Sequence, residues 1–175
     1  TDEEISHYDQ IRDGIDFGYA IDPSVYIQCH YDKTRKKLYI FNEIYQVGLS
    51  NKSLWEKVLS KKISHSYITA DSAEPKSIDE LNSLGQMNVL PAKKGPDSIE
   101  YGIKFLQKLE EIVIDNIRCP NTAKEFTTYE YERNRQNEIL SKYPDKNNHS
   151  IDATRYALEN DMKSNTISFG YRKII

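Results

Sequence analysis

Between residues 25 and 31 apolar Val25, Ile27 and Cys29 alternate with Tyr26, Gln28 and His30. A period of two predicts a β-strand. Just before it, Gly14-Ile15-Asp16-Phe17-Gly18 reads as a short strand ending at a glycine. After the polar turn at residues 32–37, residues 38–47 predict a longer strand, with Leu38, Ile40 and Ile44 on one face and Tyr39, Phe41, Tyr45 and Val47 on the other. Three strands joined by short polar links predict an antiparallel meander. The polar residues 1–10 predict a frayed lead-in.

Beyond residue 50 the period changes. Leu54, Trp55, Val58 and Leu59 form a helical stripe, opened by capping-box spacing between Ser53 and Glu56. Residues 67–70 predict a strand ending at Asp71. Ser77 and Glu80 repeat the box and open a helix that stops near Gly85. A short strand over 87–90 and a basic loop, Lys93-Lys94-Gly95-Pro96, come next. Ile99, Ile103 and Leu106 then mark another helix, and residues 111–114 a short strand or edge element. A helix is expected over 122–129. Residues 130–148 are very polar and predict a projecting hairpin or loop. Ile151, Arg155, Leu158 and Met162 lie on one stripe of a last helix over 151–162. Strands first, then alternating helix and strand, predict an α/β mixed sheet covered by helices on both faces.

The 175 residues suit one domain, residues 1–175, with a sizeable core. A 29% share of charged residues against 38% hydrophobic fits a soluble globular chain rather than a disordered one. The net charge of -3 excludes a histone-like protein, although local basic patches can still grip DNA. No apolar run is long enough to cross a membrane, so no membrane partner is expected. The chain does not begin with Met, which fits a fragment of a longer protein. Cys29 and Cys119 form no metal-type pair and suggest a reduced compartment.

Three aspartates fall at informative points of this topology. Asp16 lies on the first strand and Asp152 in the first turn of the last helix. Asp71 follows the fourth strand, at the end where open α/β sheets place their chemistry. Converging carboxylates repel unless they share cations, and hard oxygen ligands suit Mg²⁺ or Mn²⁺. By spacing alone, the same acids fit helix caps or surface positions equally well. His149 and Asp152, three apart, share a helix face, although His149 also fits a capping position. Lys93 and Lys94, with Arg133, Arg135, Lys142 and Lys146, are candidate phosphate contacts. Lysines alone read better as a solvated turn, the later residues carry the same ambiguity, and Glu130, Glu132, Glu138 and Asp145 dilute that group. His7, His30 and His65 have no convincing partners in the sequence. No phosphate-binding G-x-x-x-x-G-K-[ST] loop, G-x-G-x-x-G loop or zinc ligand set is present.

Four segments resemble, in order, the nuclease domain of phage large terminase subunits. Gly14-Ile15-Asp16-Phe17-Gly18-Tyr19-Ala20-Ile21-Asp22-Pro23 is similar to its first catalytic strand. Ala70-Asp71-Ser72-Ala73-Glu74-Pro75-Lys76-Ser77-Ile78 is similar to its second acidic motif. Lys93-Lys94-Gly95-Pro96-Asp97-Ser98-Ile99 resembles its basic loop and following helix, and residues 149–158, from His149 to Leu158, its third motif. The resemblance implies an RNase H-like fold and an endonuclease using two Mg²⁺ or Mn²⁺ ions. Asp16, Asp71, Asp152 and His149 would be its catalytic and metal residues, with Glu74 a candidate further acid. It also implies cleavage of concatemeric viral double-stranded DNA, with little sequence specificity, in the cytoplasm of an infected bacterium. The implied partners are an N-terminal ATPase domain of the same polypeptide, the portal and procapsid, and the small terminase subunit. The competing readings are an RNase H-like junction resolvase and a non-catalytic DNA-binding or assembly module. An actin-like phosphotransferase also opens with Asp-x-Gly, but it needs a second, similar half that this chain lacks.

Overall fold

The computed structural model describes residues 1–63, 67–86, 88–140 and 142–163. His65 and Met87 lie outside the described residues. A six-stranded mixed sheet runs in the order β5-β4-β1-β2-β3-β6. Its centre is the expected meander: β1 (Ile11–Asp16), β2 (Pro23–Asp32) and β3 (Lys37–Val47), paired antiparallel. On one side β4 (Ile68–Ala70) pairs parallel with β1, and β5 (Val89–Pro91) parallel with β4. On the other, β6 (Glu111–Ile114) pairs parallel with β3 at the sheet's edge.

The alternation in β2 sends its residues into two different cores. Val25, Ile27, Cys29 and Tyr31 pack with Ile103 and Leu106 of α4 (Ser98–Gln107) and with Ile151 and Ala153 of α6 (His149–Ala157). On the opposite face Tyr26 and Ile15 meet Leu54, Trp55 and Val58 of α2 (Asn51–Lys61) and Ile78 and Leu81 of α3 (Pro75–Ser83). Helices therefore cover both faces, as the hydrophobic pattern requires. Beneath the second layer lies a polar knot absent from the sequence reading. Asp13 and Lys62 are a buried ion pair, and Asp13 Oδ1 accepts from Tyr26 Oη at 2.7 Å and Gln28 Nε2 at 2.9 Å. Each buried polar group thereby gains a partner, which offsets its lost hydration.

Several boundaries differ from expectation. The lead-in is not frayed: α1 (Asp2–Ser6) is closed by a capping box between Thr1 and Glu4. Ser50, not Ser53, caps α2, its side chain accepting from the Ser53 amide at 3.1 Å. Pro75 opens α3 ahead of Ser77, because proline's fixed φ and missing N–H suit the first helical turn. A helix α5 spans Pro120–Thr128, and the single last helix is instead two, α6 and then α7 (Glu159–Lys163). Within residues 130–148 an antiparallel bridge between Arg133 and Ile139 makes a hairpin.

α6 crosses β1 unusually closely. A Cβ on Gly14 would lie 1.9 Å from the Ala153 carbonyl oxygen and 2.9 Å from the Ala157 nitrogen. Only glycine, which has no Cβ, permits this approach, and the approach sets the start of α6 beside the end of β1.

Candidate active site

Three elements end at one cleft. Asp16 closes β1, Asp71 follows β4, and the first turn of α6 supplies His149 and Asp152. All four line a cleft of about 250 Å³, together with Asp22, Lys94, Asp145, Asn148 and Arg155. The Asp71 amide donates to the Ile15 carbonyl at 3.0 Å, which locks the end of β4 to β1. The expected gathering of distant acids is therefore a consequence of parallel pairing between these two strands and of α6 lying across them.

Each acid faces a cation or donor of the protein's own. His149 Nδ1 and Asp16 Oδ2 share a hydrogen bond at 3.0 Å, and His149 Nε2 lies 3.6 Å from Asp22 Oδ1. Lys94 forms an ion pair with Asp71, whose Oδ1 also accepts from the Ala73 amide at 2.8 Å. Asp152 pairs with Arg155 through Oδ1 and accepts from Asn148 Nδ2 through Oδ2 at 3.0 Å. Arg155 is itself fixed: its Nη2 donates to the Ser98 carbonyl at 2.9 Å. Its Nε packs where a side chain on Gly102 would stand, 2.3 Å from that Cβ position.

Burial pushes the Asp16 carboxyl up to about 6; the His149 hydrogen bond opposes this, and the Asp152 and Asp71 charges add to it. Burial also raises Asp152, against the pull of Arg155. His149 is raised chiefly by its hydrogen bond to Asp16, with burial working the other way. Among the described residues, no three His, Cys, Asp or Glu side chains already stand together as a formed metal site. The donor set nevertheless fits divalent ions in its chemistry: three carboxylates and an imidazole drawn from three elements, two of the acids resisting ionisation until positive charge arrives. The protein's own cations draw each carboxylate its own way in the described arrangement.

Some functional neighbours escaped the sequence reading. Asp22 lies six residues after Asp16 in the same quoted motif, and Asp145 reaches the cleft from the hairpin. Arg155 looked like a member of the apolar stripe, yet its spacing of three from Asp152 already allowed a same-face ion pair. Buried Glu125 of α5 accepts from the Ser150 amide at 2.7 Å and from Tyr45 Oη at 2.9 Å, tying the start of α6 to β3. Glu74 is the N-cap residue of α3 and lines a different pocket from the four site residues. Lys93 lies on an adjoining cavity wall, with its amide bound to Glu159. Arg133 and Lys146 line a shallow cavity at the hairpin base. Arg133 pairs with Glu130 and Lys142 with Glu132, both at 3.5 Å, and Arg135 is exposed. His7 and His30 lie outside the cleft; His30 stacks on Tyr8.

A mixed sheet with its acids gathered where β1, β4 and a crossing helix meet is an RNase H-like arrangement. A family model described as the terminase RNase H-like domain matches residues 16–160. The large terminase subunit of Bacillus phage SPP1 is 43% identical over 169 residues, covering 96% of this chain and 40% of that protein. The PBSX phage terminase large subunit of Bacillus subtilis is 29% identical over 156 residues, covering 87% of this chain and 36% of that protein. Among solved structures, the SPP1 large terminase nuclease domain with bound Mn matches with a TM-score of 0.86 at 42% identity, over 92% of each chain. The P22 large terminase nuclease domain shares the fold, with a TM-score of 0.65 at 18% identity, over 87% of this chain and 81% of that one. The chain belongs to the family of RNase H-like nuclease domains of phage large terminases. It spans about two-fifths of the length of these curated relatives.

Proposed function

We propose that this chain is a divalent-metal-dependent endodeoxyribonuclease that cuts concatemeric viral DNA during genome packaging, with little sequence preference. The observation that carries the reading is the meeting of Asp16, Asp71, Asp152 and His149 in one cleft of a chain from this family. The SPP1 domain's bound Mn supports Mn²⁺ or Mg²⁺ as the ion. Residues 1–175 act as one nuclease domain of a longer polypeptide that also carries an ATPase domain. Its further partners are the portal, the procapsid and the small terminase subunit, in the cytoplasm of the infected host.

Asp16, Asp71, Asp152 and His149 would hold the ions. When bound, a pair of such ions clamps a phosphodiester and makes water a better nucleophile. Asn148 and Arg155 orient Asp152, and Asp16 orients the His149 ring. Lys93, Lys94, Arg133, Arg135, Lys142 and Lys146 neutralise DNA phosphates, so affinity should fall with salt and vary little with sequence. The hairpin over 130–148 brings Asp145 to the cleft and runs directly into His149, which suits it to gate entry.

Metal binding should be visible in stability. At about a hundredfold excess over its Kd, Mn²⁺ should stabilise the native domain by about 2.7 kcal/mol. For a chain of this size that is a rise of about 5–10 °C in melting temperature. The variant Asp16→Asn/Asp71→Asn/Asp152→Asn should show no rise. The pH dependence has a defined sign. Asp16, Asp152 and His149 all hold protons more tightly when folded than when unfolded. Their contribution to metal-free stability is therefore present at low pH and lost as pH rises. For Asp16 the loss falls between the ordinary carboxylate range and about 6. Stabilisation by Mn²⁺ should change oppositely, growing as pH rises through that window, because the ion and the protons compete. Thermal melts with and without Mn²⁺ across this range test both trends. Equal Mn²⁺ shifts in the wild type and the triple variant would count against a shared site.

A further inference from the structure

The nearest cation to the second acid is not placed as a simple DNA contact. Lys94 turns inward: its ammonium pairs with Asp71 and lies 5.4 Å from the centroid of the Tyr156 ring. The loop that carries it is pinned on both sides. The Ala92 amide donates to the Ala70 carbonyl at 2.8 Å and the Lys93 amide to Glu159 at 2.6 Å, while Ser98 closes back on the Gly95 carbonyl at 3.2 Å. Lys94 projects from between these anchors and lines both the catalytic cleft and the neighbouring cavity. Its charge also weighs on Asp152.

We propose that Lys94 is an internal counter-ion that competes with the divalent metal for Asp71 and is released toward DNA when the metal binds. The inference rests on the metal-site reading above. An ammonium and a dication on one carboxylate repel strongly in a half-buried cleft. Either occupant therefore disfavours the other, and no change in the rest of the fold is needed. The Lys94 side chain is 38% exposed, so it has solvent to swing into. On release, its long flexible stem carries the charge to the cleft mouth, where a phosphate can take the place of Asp71. Metal loading and DNA grip are then reciprocally coupled: each favours the arrangement that the other needs.

Calorimetric titration with Mn²⁺ tests this without using turnover. Lys94→Gln should bind Mn²⁺ about fivefold more tightly than the wild type, a coupling of ordinary allosteric size. The charge-matched substitution Lys108→Gln, on the exposed C-terminal cap of α4, should leave the affinity unchanged. In a second arm, duplex DNA binding is measured with and without Ca²⁺, a probe ion for the same oxygen ligands. The wild type should gain DNA affinity on adding the ion, and Lys94→Gln should gain less. Equal or weaker Mn²⁺ binding by Lys94→Gln, with the wild type binding normally, would overturn the counter-ion role alone. A wild type that binds no Mn²⁺ would instead remove the metal site on which the proposal rests.

Discussion

Asp71→Asn is expected to slow DNA cleavage by about three orders of magnitude or more, a loss of about 4 kcal/mol of transition-state stabilisation. The substitution keeps the side chain's shape and the oxygen that receives the Ala73 amide. It removes the charge that would hold a divalent ion at the end of β4. The fold should be nearly indifferent. Lys94, left without its ion pair, is partly exposed and can be hydrated, which keeps the cost to stability small. A fluorescently labelled linear duplex with Mn²⁺ gives the rate, and a thermal melt gives the stability. Cutting at the wild-type rate with an unchanged melt would remove Asp71 from the site.

Gly14→Ala is expected to have the largest effect on the fold. The added methyl would meet backbone, not a side chain that can rotate away: the Ala153 carbonyl oxygen at 1.9 Å. Either β1 or α6 must move, and overpacking of this kind costs about 3 kcal/mol. That corresponds to a fall of about 6–12 °C in melting temperature. The displaced helix carries His149 and Asp152, so Mn²⁺ affinity should fall as well. A variant that melts like the wild type and binds Mn²⁺ equally would show that the close crossing positions nothing.

What the sequence made legible follows from how local each signal was. The meander could be read because strand periodicity and short polar links are properties of neighbouring residues. The aspartates could be placed because strand ends and helix starts are legible, and parallel pairing of β4 with β1 then brings Asp16 and Asp71 together. Caps were read less well. Ser50 and Ser53 both precede the apolar stripe of α2, and only the backbone turn decides which is outside the helix. The Thr1–Glu4 box was hidden in a segment that looked merely polar. No glycine or proline marks the break near Leu158 between α6 and α7. The long-range partners had no local signal at all. Lys62 for Asp13, Glu125 for Ser150 and Lys94 for Asp71 depend on how distant elements pack. Nothing in the neighbouring residues marks these charges as ones that the fold buries or pairs. Arg155 is intermediate: its spacing from Asp152 was visible, but its slot beside Gly102 was not.

The most direct measurement is the fate of supercoiled plasmid incubated with this chain in Mn²⁺, in Mg²⁺ or in EDTA. A nuclease centred on Asp16, Asp71 and Asp152 should convert supercoiled plasmid to nicked and linear forms with at least one of the two ions, and leave it intact in EDTA. Plasmid that stays supercoiled with both ions while the protein is folded and bound to it would contradict the nuclease assignment. Cutting that persists undiminished in EDTA would contradict the role given to the metal.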